Sequence, residues 1–251
     1  MINWQETLLF PVKDPEARKQ FLIACLVMLA GFIIPILPTL VLMGYGVRIM
    51  RQIIDEHKAP SMPDWQASDW SEMLMDGLRV FGVQFVLIFP LVLLMGCGVT
   101  LTLSGSIGLS ALAEESARPF AALGVLLFML GIGLILVFSI LSFPYGIAIS
   151  AAIPHAVAKN SFSAGFAFKE WFPIFRKALG QFVLGYILVV AVSLALMLII
   201  QFAMLTIVLM CVVPFIMIPY TAYVTLITNV VYTQAYVVGR DALQTEAHAS
   251  A

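Results

Sequence analysis

Few residues in this chain could do chemistry, and their spacing says which chemistries are closed to it. His57, His155 and His248 fall in three separate segments with no helical pairing between them. Cys25, Cys97 and Cys211 each lie inside an apolar run, too far apart for a metal motif, and act as small packing residues. Glu114 and Glu115, with Arg118, form a solvated loop between two apolar runs. His155 stands four residues before Lys159, near a membrane interface, where an imidazole hydrogen-bonds across helices. Gln201, Asn229 and Gln234 join His155 as candidates for a polar lining, with interhelical hydrogen bonding as the more economical role. There is no nucleophile–base set, phosphate loop or metal-ligand spacing. No catalysis, cofactor or metal is expected, and a net charge of -1 carries no message about nucleic acid.

The elements that hold these residues are set by composition. The chain is 62% hydrophobic and 11% charged, with a mean hydropathy of +1.03, whereas about a quarter of a soluble chain is charged. Residues 21–47, 80–113, 119–158 and 178–239 are free of charge, and each is long enough to cross a hydrocarbon core of about 30 Å. The runs are continuous and none alternates apolar with polar, which disfavours a β-barrel. The fold class is all-α: a polytopic transmembrane helix bundle.

Taken in order, residues 1–20 form an interfacial leader. Its Trp4–Phe10 patch is an anchor, and Asp14-Pro15-Glu16 is a helix start. A single transmembrane domain spans 21–240. Its first helix, kinked at Pro35 and Pro38, runs to about Ile54, with a re-entrant hairpin turning at those prolines as the alternative. A second helix covers Val80 to about Leu103, and Ser104–Gly108 loosens into loop. A third covers about Phe120–Ala158, Pro173 starts a fourth, and a fifth, about 207–240, is kinked at Pro214 and Pro219. The tail, 241–251, frays. Tyr45-Gly46 answers Tyr145-Gly146, and Gln84-Phe85-Val86 answers Gln181-Phe182-Val183. These pairs suggest an internal two-helix repeat, about 21–105 and 119–205.

Two surfaces stand out. Gly146, Ala148, Ser150, Ala152 and Ala156 give a small-residue packing face, placing that half-helix at the centre of the bundle. Phe166, Lys169, Trp171, Phe172, Phe175, Arg176 and Lys177 mix aromatics with cations, as does the earlier segment with Trp65 and Trp70. Such segments lie on anionic membrane surfaces. Five crossings put the termini on opposite sides. One side then holds Arg48, Arg51, Lys58, Arg79, Lys159, Lys169, Arg176, Lys177 and Arg240, and the other Lys13, Arg18, Lys19 and Arg118. The richer side, with the C-terminus, is cytoplasmic.

Gly44-Tyr45-xx-Arg48-xx-Arg51, Met62-Pro63-x-Trp65 and Asp76-Gly77-Leu78 resemble the signature of a prokaryotic multi-pass membrane family, the domain of unknown function numbered four thousand and thirteen. Pro144-Tyr145-Gly146 and Ala164-x-Phe166-x-Phe168 resemble its second half. The layout is more distantly similar to the membrane domain of some glycerophosphodiester phosphodiesterases, without their catalytic domain. The resemblance implies a bacterial or archaeal cytoplasmic membrane and no particular activity. The reading is a non-catalytic scaffold or accessory subunit whose partners are membrane lipids, other membrane proteins or a second copy. A transporter or permease subunit is the alternative.

Overall fold

The computed structural model describes residues 2–110, 118–204 and 212–249. Every regular element in them is helical. Four helices are long and apolar enough to cross a membrane: Trp70–Ser110, Ala121–Ala158, Leu179–Phe202 and Val213–Ala249. The chain divides into two compact units, Met1–Val83 with Ser150–Ala251, and Gln84–Ile149.

The first unit begins with α1 (Trp4–Leu9), whose first turn is capped by the Asn3 side-chain Oδ1 accepting from the Glu6 amide at 3.3 Å. Asp14 caps α2 (Pro15–Leu29) through a 2.8 Å bond from the Ala17 amide, with proline at the first helical position as its sequence dictates. Phe10 and Thr7 are buried, and Trp4 and Leu8 pack against the same core.

The first apolar run is not one kinked span. It breaks after α2 through a 3-10 turn (Ala30–Phe32) and restarts as α3 (Leu37–Glu56). The prolines explain the break. Pro35 drives its predecessor out of the helical region, and Pro38 falls in the first turn of α3, where its missing N–H is not needed. Ile36 between them takes φ 78°, a conformation unfavourable for a β-branched residue, in a tight turn closed by the Leu37 amide donating to the Pro35 carbonyl at 3.0 Å. At 15 and 20 residues, α2 and α3 are about 22 and 30 Å long, and they pack on each other. Residues 21–54 thus form two packed helices rather than one span, and four helices rather than five are long and apolar enough to cross a membrane.

Helix α3 is the centre of this unit. Tyr45, Ile49 and Ile53 pack with Leu226, Ile227, Val230 and Val231, while Val47, Met50 and Ile54 pack with Val80 and Val157. The N-terminal residues Ile2, Asn3 and Glu6 share one cleft with His57–Pro60 and with Gln234, Val237 and Val238. The chain's start, the exit of α3 and the late part of the last helix thus meet at one end of the unit.

Helix α4 (Trp70–Ser110) belongs to the first unit up to Val83. The expected loop at Ser104–Gly108 is helix instead. Ser106 and Ser110 donate back to the carbonyls of Leu103 (2.7 Å) and Ile107 (2.6 Å), and Gly105 and Gly108 lie against α5 (Arg118–Ile149) at Gly124. Gly98 and Thr102 meet α5 at Gly131. Small residues on both helices let the backbones touch, the mode of packing available where lipid replaces water. This pair makes up the second unit.

After α5 the chain turns at Ser150–Ala151 and resumes as α6 (Ala152–Ala158). Pro154 lacks the N–H that would bond Ser150, which accounts for the turn one helical step earlier. Helix α7 (Phe168–Lys177) contains Pro173 rather than ending before it, and α8 (Leu179–Met204) starts after a turn at Ala178. Helix α9 (Val213–Ala249) has Pro214 in its first turn and runs through Ala249, past the point where fraying is expected. There Lys177 pairs with Glu246.

Candidate functional site

The polar chemistry of the first unit is concentrated where α3 crosses α4. A Cβ on Gly44 would lie 2.5 Å from the Met73 carbonyl carbon, and one on Gly77 would lie 2.7 Å from that of Leu40. Only glycine at both positions lets the backbones approach this closely. Beside the crossing, Arg51 grips Asp76 with both arms of its guanidinium, Nη1 to Oδ2 at 2.6 Å and Nη2 to Oδ1 at 2.9 Å. Arg79 reaches the same carboxylate at 3.3 Å. Both arginines also donate to the Asn160 side-chain oxygen, Arg51 at 3.2 Å. Asn160 follows α6 with φ 47°, a left-handed turn that asparagine tolerates well.

A second clamp lies one turn away. The Tyr45 ring stacks on Trp65 with centroids 4.2 Å apart and planes within 6°. Its hydroxyl donates to the Pro63 carbonyl at 2.6 Å. Trp65 Nε1 donates to the Gln20 carbonyl at 3.1 Å, and Gln20 Nε2 donates to Asp64 at 2.8 Å. Arg48 pairs with Asp69. The Ser68 hydroxyl, followed by that guanidinium, holds the Asp69 carboxyl below the usual carboxylate range. An open cleft of about 550 Å³ lies over these pairs, lined by Arg48, Arg51, Asp55, Asp64 and Asp69 among others.

A third cluster joins α6, α7 and α9. His155 is buried, with Nδ1 2.9 Å from the Tyr236 hydroxyl. Its Nε2 is 3.3 Å from Glu170 Oε2, outside hydrogen-bond alignment. Lys159 approaches the same carboxylate at 3.8 Å.

A family model described as protein of unknown function (DUF4013) matches residues 27–209. The chain belongs to that family. No curated protein and no solved structure matches it. The DUF4013 match covers both members of the Arg51–Asp76 fork, the Tyr45–Trp65 stack, and His155 with Glu170. Gln20 and Tyr236 lie outside it.

The structure separates the residues that the sequence groups together. Trp65 is half-buried and packed on Tyr45, whereas Trp70 beside it is exposed. Phe166, in the turn before α7, is half-buried; in α7 itself Trp171 and Phe175 are buried, while Lys169, Phe172, Arg176 and Lys177 are exposed. Of the small-residue face, Ser150, Ala152 and Ala156 are buried in the first unit, and Gly146 and Ala148 are half-buried in the second. The turn at Ser150–Ala151 falls within that face. The four lining candidates do not share one path. His155 bonds Tyr236, the Asn229 amide lies over Gly46, and Gln234 accepts from the Thr7 hydroxyl at 2.8 Å. Gln201 is exposed on α8. Glu114, Glu115 and Cys211 lie outside the described residues. Among the described residues, no three His, Cys, Asp or Glu side chains converge as metal ligands.

Sequence reasoning missed Asp69, Asn160, Glu170 and Tyr236 as partners. Asn160 carried a signal, since asparagine just past a helix marks a left-handed cap. The others carried none, because each meets a partner distant in sequence.

Proposed function

We propose that this DUF4013 protein is a non-catalytic membrane scaffold, with both termini in the cytoplasm and the second unit presented to neighbouring membrane helices. The observation that carries this reading is the makeup of the second unit. It is two helices joined along a seam of Gly98, Thr102, Gly105, Gly124 and Gly131, and two helices closed on each other enclose no pathway. Its outward side chains are apolar and exposed on both helices, among them Phe89, Leu93 and Leu103 on α4 and Leu126, Met129 and Ile140 on α5. Such a unit acts through its outer faces, on lipid or on the helices of a partner.

Orientation follows from the hairpin. A hairpin returns the chain to the side it came from, so four spans leave both termini together, which fits the cleft that Ile2, Asn3 and Glu6 share with Gln234, Val237 and Val238 of α9. Lys13, Arg18 and Lys19 then join the nine basic residues already on that side. Arg118 alone remains opposite, a far stronger bias than five crossings give.

A permease subunit is the second reading, favoured by the broken helix at Pro35–Pro38. The two are separated by purifying the chain from native membranes with and without Leu126→Glu and Met129→Glu on the outer face of α5, and by solute flux in proteoliposomes. The scaffold reading expects a stoichiometric membrane partner that the substitutions release, and no flux. Flux by the chain alone, with no partner lost, would establish the permease.

A further inference from the structure

The exposed face of α7 carries a pattern that the packing of the first unit leaves unexplained. One face of this helix is fixed. Trp171 is 1% exposed and donates from Nε1 to the Gly165 carbonyl at 3.2 Å. Phe175 packs on Phe182 with centroids 5.3 Å apart, and Ile174 lies against Gly239 of α9. These contacts set the rotation of the helix, so its outer face is determined. Phe168, Phe172 and Arg176 recur every fourth residue and form one stripe, with Lys169 in the next. Phe168 is 52% and Phe172 45% exposed. The acidic residue of the helix, Glu170, is turned to the opposite edge, where it faces His155 and Lys159. Lys177 is held there too by Glu246. Among the described residues neither Lys169 nor Arg176 has an ion-pair partner.

A solvated face does not display two phenylalanines, and a helix face buried by a neighbouring apolar helix does not carry two unpaired cations. Water and hydrocarbon meet side by side at the surface of a bilayer. We propose that the Phe168–Phe172–Arg176 stripe with Lys169 docks on the headgroup region of an anionic leaflet. The rings enter the acyl boundary, and the two cations sit at the level of the lipid phosphates. The partner is an anionic phospholipid surface, recognised by charge and shallow apolar insertion rather than by a pocket. This rests on the scaffold reading only in taking the basic end of the unit to be the end at a membrane surface.

The test uses the full chain with the photoreactive residue p-benzoylphenylalanine in place of Phe172, which keeps an aromatic ring there. The protein is placed in nanodiscs of phosphatidylcholine mixed with phosphatidylglycerol. Both leaflets of a nanodisc are alike, so an error in the cytoplasmic orientation leaves the result unchanged. After irradiation, lipid adducts at position 172 should favour phosphatidylglycerol over its bulk share about fivefold or more at low salt. The preference should fall toward the bulk ratio in high salt and in the Lys169→Gln/Arg176→Gln variant. Each single substitution should give an intermediate preference, which serves if the double variant does not fold. Adducts at the bulk ratio, a preference that survives loss of both cations, or crosslinks to protein instead of lipid would each overturn the proposal.

Discussion

Replacing Gly44 by alanine perturbs the α3–α4 crossing at its tightest point. The added carbon would stand 2.5 Å from the Met73 carbonyl carbon and 2.8 Å from its Cα, where ordinary contact begins at 3.4 Å. Both atoms are backbone, so no side-chain rotation relieves them, and the helices must part by roughly 1 Å. Overpacking of this kind costs about 1–3 kcal/mol. The Arg51–Asp76 fork spans the same two helices at 2.6 and 2.9 Å and is strained by the same movement. We therefore expect about 3 kcal/mol for Gly44→Ala, and a similar loss for Gly77→Ala. The pair should be less than additive, because either one alone already parts the helices. Gly133 and Gly96 supply the contrast. Both are helical with no atom within 4 Å of a built Cβ, so alanine there should be neutral or stabilise by up to about 1 kcal/mol. Unfolding in mixed micelles by rising SDS, followed by circular dichroism, reads all four. Equal midpoints for Gly44→Ala and Gly133→Ala would refute the close crossing.

Two further outcomes follow from the polar pairs. The Asp76 side chain is 7% exposed and that of Arg51 27%. Arg51→Met, which leaves a buried carboxylate with only Arg79 near it, should therefore cost about 3 kcal/mol, against about 1–2 for Asp76→Asn; equal losses in the same titration would contradict this burial asymmetry. Because the Asp69 carboxyl is held low by Ser68 and Arg48, its contribution is complete above the pKa of an unfolded aspartate and is lost as pH falls through the lower folded value. Melting curves from pH 6 to pH 3 should show an acid-side loss that Asp69→Asn diminishes, and an unchanged acid limb would show that the Arg48–Asp69 pair contributes nothing.

The class of fold was legible because charge-free runs of membrane-spanning length have one interpretation in lipid. The caps at Asp14-Pro15 were legible too, since capping is decided within four residues. The fate of Pro35 and Pro38 was not, because a proline can kink one helix or start the next, and which occurs depends on whether the two halves find partners. Here α3 finds α9 on one side and α6 on the other. Trp65 and Trp171 were misplaced for a related reason. An aromatic at a membrane boundary looks the same in sequence whether it faces lipid or a tyrosine 20 residues earlier in the chain, and only the fold brings Tyr45 under Trp65. Gly44, Arg51, Asp76 and Gly77 are scattered over 34 residues of sequence, and only the fold makes them members of one crossing.

The reading of this protein as a hairpin and four spans is tested most directly by placing its two ends. Paired reporters, one that is active in the cytoplasm and one that is active only outside, are fused ahead of Met1 and after Ala251 in separate full-length chains. Both ends should report cytoplasm, since the α2–α3 hairpin returns the chain to its side of entry and four crossings preserve it. An N-terminus outside with the C-terminus inside would mean that residues 21–54 cross once, and the hairpin, the charge balance and the orientation would fall together.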